Sequence, residues 1–142
     1  MRYIKFLFAS FAMLMSVGCA SLDCKPTKGV VLPGTDTAIV GIYIDKKGYP
    51  QATVDTVTVK PGQKITFVGP DKFEILFKNQ ISPISKLETG TSNGILVIEI
   101  PKEIFERQQS AKNTVEIREL IYKYGIRANG KVTDPTIRVE RY

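Results

Sequence analysis

From Thr37 to the C-terminus, apolar and polar positions alternate in short runs broken by Pro, Gly, Asn and Asp, the period-two signature of β-strands. Asp55–Lys60, "DTVTVK", alternates cleanly, with Val57 and Val59 on one face and Thr56, Thr58 and Lys60 on the other. Pro61-Gly62-Gln63 then reverses the chain, Pro being suited to the second turn position and Gly to the third. Lys64–Val68 returns with Ile65 and Phe67 inward. After the turn "GPDK", Phe73–Lys78 sets Phe73, Ile75 and Phe77 on one face. Thr37–Asp45, "TAIVGIYID", is apolar at both parities, which predicts a strand buried on two sides. Gly94–Ile100, "GILVIEI", predicts another strand, Val115–Ala128 a single long one, and Thr136–Glu140 a last one with Ile137 and Val139 inward.

The intervals are polar. Asn79–Gly94 reads as a long surface loop, and its "ETGTSNG" stretch as a flexible connector. Pro101 is pre-set for a first helical position, so a short helix is expected over Lys102–Gln109 with Ile104 and Phe105 turned to the core. Residues 19–36 read as a tether with a short edge strand at Gly29–Leu32, and residues 37–142 as one domain. Seven or so short strands with turns between them predict an all-β sandwich or small barrel.

The first nineteen residues follow a different pattern. Arg2 and Lys5 precede an apolar run from Phe6 to Met15, and small residues follow. This is the layout of an export signal over residues 1–18. The run is too short for a permanent span. "SVGC" resembles a bacterial lipobox, which implies a diacylglycerol on Cys19, a membrane partner through that anchor, and, with Ala20 next, the outer membrane facing the periplasm. The same residues also allow an ordinary secretory signal cut after Ala20, giving a soluble periplasmic or secreted protein.

Loss of residues 1–18 removes Arg2 and Lys5 from the 20 basic residues. That leaves 18 against 14 acids, a formal +4. In an exported protein this mild positive charge suggests anionic lipid or wall polymer before nucleic acid as a partner, and a mixed solvated surface is the competing, favoured reading. From Arg118 to Arg141 six basic residues stand against three acids. Lys123 and Arg127 fall on one strand face, and with Lys131 they form a candidate contact for an anionic surface. The competing reading is protection of a strand edge by charge.

Two stretches resemble plastocyanin-like cupredoxins, small Greek-key copper sandwiches. The first is "DTVTVKPGQKITFVGPDKFEILFK", and the second is "YKYGIRANGKVTDPTIRVE". The resemblance implies a cupredoxin-like Greek-key β-sandwich, with Phe73 where the family has its first His ligand and Ile126 where it has its Cys. The loop Arg127–Pro135, which should carry His and Met, carries neither. A blue-copper site needs two imidazoles and a thiolate with a weak axial ligand. The chain has no His, all three Met residues lie at or before Met15, and beyond Cys19 its only Cys is Cys24 in the tether. The expectation is therefore a domain with no metal and no cofactor. Cupredoxin-like domains without copper, such as the ephrin ectodomain, act through their surfaces in protein recognition, an analogy of fold that does not name the partner. The expected partner is an envelope protein or wall polymer.

Other chemistry is thinly supplied. Without His, Ser-His and Cys-His nucleophiles are excluded. "SPISK" offers Ser82, Ser85 and Lys86, and the pairs Glu99/Glu103 and Glu116/Glu119 offer carboxylates. A turn and solvated faces account for them, and the expectation is a non-enzyme. Tyr122 and Tyr124 read as core.

Overall fold

The computed structural model describes residues 28–29, 31–112 and 116–141. The expected export signal, Cys19, Cys24 and most of the expected tether lie outside the described residues. Among the described residues the strands are β1 (Lys28–Gly29), β2 (Thr37–Ile44), β3 (Pro50–Ala52), β4 (Thr56–Val59), β5 (Lys64–Val68), β6 (Phe73–Phe77), β7 (Glu88–Thr91), β8 (Ile95–Glu99), β9 (Glu119–Ala128), β10 (Lys131–Thr133) and β11 (Thr136–Glu140). One helix, α1 (Ile104–Lys112), lies between β8 and β9.

The strands form two mixed sheets in a sandwich-like arrangement. The larger runs β1-β4-β11-β9-β6-β7, with β10 also paired to β9, and the smaller runs β3-β2-β5-β8. Each sheet holds a parallel pair of strands distant in sequence: β2 with β5 in the smaller, and β4 with β11 in the larger. The clean alternation of β4, β5, β6 and β11 explains why they form as expected, since one face of each is buried throughout. Val57, Val59, Ile65, Phe67, Ile75, Tyr122, Tyr124 and Ile137 meet in one core between the sheets. The helix begins two residues later than expected, after Pro101, and Ile104 and Phe105 close one end of that core.

Four expectations need correction. β2 is buried on one face only, because the smaller sheet is not covered on its outer side and Ile39 and Tyr43 are exposed. Within the expected loop 79–94, Glu88–Thr91 forms β7 on the edge of β6, with Ile75 opposite Thr89. The turn expected over Lys46–Pro50 ends one residue sooner, because Pro50 opens β3 (Pro50–Ala52) against the end of β2. The stretch after Asn129-Gly130, expected as a turn, continues as β10 along β9.

The registers bring four turns to one end of the molecule: 45–49, 69–72, 92–94 and 129–130. The first turn is held by Asp45, whose carboxylate accepts from the N–H of Tyr49 at 2.8 Å and of Lys47 at 2.9 Å. The second and third lock together, with Gly69 N–H donating to Gly94 O and Gly94 N–H to Asp71 O.

Candidate functional site

The end where these turns meet holds Phe73 and Ile126, the two positions that the cupredoxin resemblance picks out. Phe73 opens β6 and Ile126 lies on β9, one step across from Ile75. Both side chains belong to the core, as apolar residues on the inner parity of their strands must. The segment that would be a ligand loop is a tight hairpin instead. Asn129 and Gly130 both have positive φ, 51° and 73°, the primed-turn geometry that suits strand twist. β10 then pairs back on β9, Lys131 opposite Ala128 and Thr133 opposite Ile126.

The polar groups here tie the hairpin to its neighbours. The Arg127 Nε donates to a Glu74 carboxylate oxygen, and its Nη2 lies 3.7 Å from Glu88 Oε2. That hydrogen bond to Glu74 raises the guanidinium further above its ordinary pKa. Lys131 Nζ donates to the Lys47 carbonyl and lies 4.4 Å from the Tyr49 ring centroid. Thr133 Oγ1 donates to Pro50 O at 2.6 Å. The hydrogen bonds on Asp45, that from Tyr49 above all, hold its carboxyl below the usual carboxylate value. Lys123 is exposed on the outer face of the larger sheet, opposite Thr136. Of the three basic residues singled out in the sequence, two are thus engaged within the molecule and Lys123 stands apart from them. The missed partners were Glu74 and Glu88, and only the register of β6 on β9 and β7 reveals them.

A hollow of about 340 Å³ lies beside the hairpin, with Lys72, Ser92, Arg127 and Asn129 at its wall and Phe73 beneath. A second hollow, about 260 Å³, is lined by Asp55, Asp134, Thr133 and Thr136. Asp134 Oδ1 is 2.6 Å from Lys78 Nζ, so one of its two carboxylates is already paired.

The carboxylate pairs noted in the sequence do not converge. Glu99 sits on the outer face of β8, Glu119 pairs with Arg138 at 2.9 Å, and Glu116 lies 3.8 Å from Arg118. Ser82 Oγ accepts from Ile84 N–H at 3.2 Å and Ser85 holds a positive φ of 60°, both features of a turn. Among the described residues no three His, Cys, Asp or Glu side chains gather as a ligand set, and no helix is long and apolar enough to cross a membrane. The chain matches no family model, and a comparison with curated proteins finds no match.

Proposed function

We propose that the chain is an envelope lipoprotein, anchored through Cys19, whose domain is a copper-free cupredoxin-like module that works by binding rather than by catalysis. The observation that carries the reading is the chemistry at positions 73 and 126. Phe and Ile sit there, both closed into the core, in a chain without His. Thiolate and imidazole donors are what a blue-copper centre requires, and these side chains offer none. The finer Greek-key topology is supported by the chain's repeated crossing between sheets and by the parallel pairs β2–β5 and β4–β11. The lipid anchor rests on the residues "SVGC" and the apolar run before them.

The test is the intact mass of the mature N-terminus, from separated membrane and soluble envelope fractions. A mass carrying two or three acyl chains on Cys19, in the membrane fraction, is the expected result. An unmodified chain beginning at Ser21 in the soluble fraction overturns the anchor. A stoichiometric blue-copper absorption band on metal loading overturns the metal-free module.

A further inference from the structure

The chain sets Asn before Gly twice, at Asn93-Gly94 and Asn129-Gly130. The side-chain amide carbon of an Asn can reach the backbone nitrogen of the next residue, and Gly leaves that nitrogen unhindered because it has no Cβ. The two sites are alike in covalent chemistry. The fold treats them differently.

At the first site the groups that would react are held. Asn93 Oδ1 accepts from the Thr91 hydroxyl and from the Ile95 N–H, the latter at 3.3 Å. The Asn93 N–H donates to Thr91 Oγ1 at 3.2 Å. Gly94 N–H donates to Asp71 O at 3.0 Å, and its carbonyl accepts from the Gly69 N–H at 2.9 Å. Gly94 is also buried, and the Gly69 carbonyl oxygen lies 2.7 Å from where a Cβ would stand.

At the second site the same groups are free. Asn129 and Gly130 are both exposed at the tip of the β9–β10 hairpin. The ladder ends at the pair Ala128–Lys131, so neither residue belongs to it. Among the described residues no hydrogen bond is found for the Asn129 side chain or for the Gly130 N–H. The turn must open for the Asn129 Cγ to meet the Gly130 nitrogen. It can do so at its tip alone, since a Cβ on Gly130 would meet nothing within 4 Å.

We propose that Asn129 is a site of spontaneous deamidation in the folded protein, while Asn93 is protected. Hydroxide takes the Gly130 amide proton, and the nitrogen attacks Asn129 Cγ. The bond from Cγ to the side-chain nitrogen breaks, that nitrogen leaves as ammonia with a proton from water, and a five-membered succinimide remains. One water then opens the ring at either carbonyl, giving aspartate or isoaspartate at position 129. The balance is one water in and one ammonia out, with nothing oxidised or reduced.

The product alters this end of the molecule. A carboxylate replaces a neutral amide on the wall that Lys72 and Arg127 share. Isoaspartate also adds a carbon to the backbone of a two-residue loop, and loop length sets hairpin register. That strains the pairing of Lys131 with Ala128, on which the Lys131 contacts with the Lys47 carbonyl and the Tyr49 ring depend. The proposal does not depend on the lipid anchor.

The test is a time course on the purified protein at neutral pH, digested at intervals and mapped by mass. The Asn129 peptide is expected to gain the mass of an amide-to-acid exchange about ten- to a hundredfold faster than the Asn93 peptide, the advantage of having one or two fewer hydrogen bonds to break. In concentrated urea the two rates should agree within about threefold, because the fold no longer separates them. A more acidic species should grow on ion exchange in step with the modification, and Asn129→Ser should remove it. Folded-state rates within about threefold of each other overturn the proposal, as does an Asn93 that outpaces Asn129. So does an Asn129 that reacts only in urea.

Discussion

Tyr122 and Tyr124 each bury a phenol hydroxyl for which no hydrogen-bond partner is found among the described residues. A buried unpaired hydroxyl costs about 1–3 kcal/mol, and removing it can cost nothing. Tyr124 also packs edge-on to Phe67, ring centroids 5.6 Å apart, a contact that phenylalanine would keep. Tyr124→Phe is therefore expected to raise stability by about 1 kcal/mol in urea unfolding, and Tyr124→Ala to lower it by about 3–5 kcal/mol. A Phe variant clearly less stable than the parent would show that the hydroxyl is satisfied. Burial also pushes the Tyr122 phenol up to about 12 and the Tyr124 phenol further. The unfolded chain then loses these protons first, near pH 10, so stability is full below that pH and falls as it rises toward the folded values. Urea midpoints taken on either side of about pH 10 should show this fall in the parent, and the Tyr122→Phe, Tyr124→Phe double variant should flatten it.

At the scale of elements, the turns divide into those held by conformation alone and those held by contact. Gly130 needs its positive φ, but a Cβ there would meet nothing within 4 Å. Gly94 has a φ of +75°, and a Cβ would lie 2.7 Å from the Gly69 carbonyl oxygen, in the joint between the second and third turns. Gly130→Ala should cost about 1 kcal/mol and Gly94→Ala more than about 2 kcal/mol, read as shifts of the urea midpoint at constant slope. Equal losses would mean that the two turns are not joined as described.

The elements visible in the sequence were those with four or more alternating residues and a turn residue at each end, such as "TVTV" and "KITFV". β3, β7 and β10 escaped because they are three or four residues long and contain Pro, Gly or a polar majority. Their strand state is set by pairing with β2, β6 and β9, not by their own composition. The same dependence on neighbours hid the Glu74–Arg127–Glu88 cluster, whose members are far apart in sequence. It also misled the reading of β2, where apolar side chains on both faces suggested cover on both. Phe73 and Ile126 lie in the core, as apolar residues on the inner parity of their strands do.

At the scale of the whole molecule, β11 is among the most central of the described strands. β11 lies between β4, to which it runs parallel, and β9, to which it runs antiparallel, and it places Ile137 and Val139 in the core. The larger sheet therefore cannot close until Thr136–Glu140 is available, and its β4–β11 and β6–β9 pairings are distant in sequence, which makes such folds slow to form. Truncation after Pro135 removes the strand joining β4 to β9 and is expected to abolish cooperative thermal unfolding and leave the whole chain open to limited proteolysis. Removal of residues 1–27 leaves every described core residue in place and should leave a cooperative transition within a few degrees of the mature chain. A truncated chain that kept a protease-resistant body containing β2, β5 and β8 would show instead that the smaller sheet is stable alone, and the two sheets would be separate folding units rather than one.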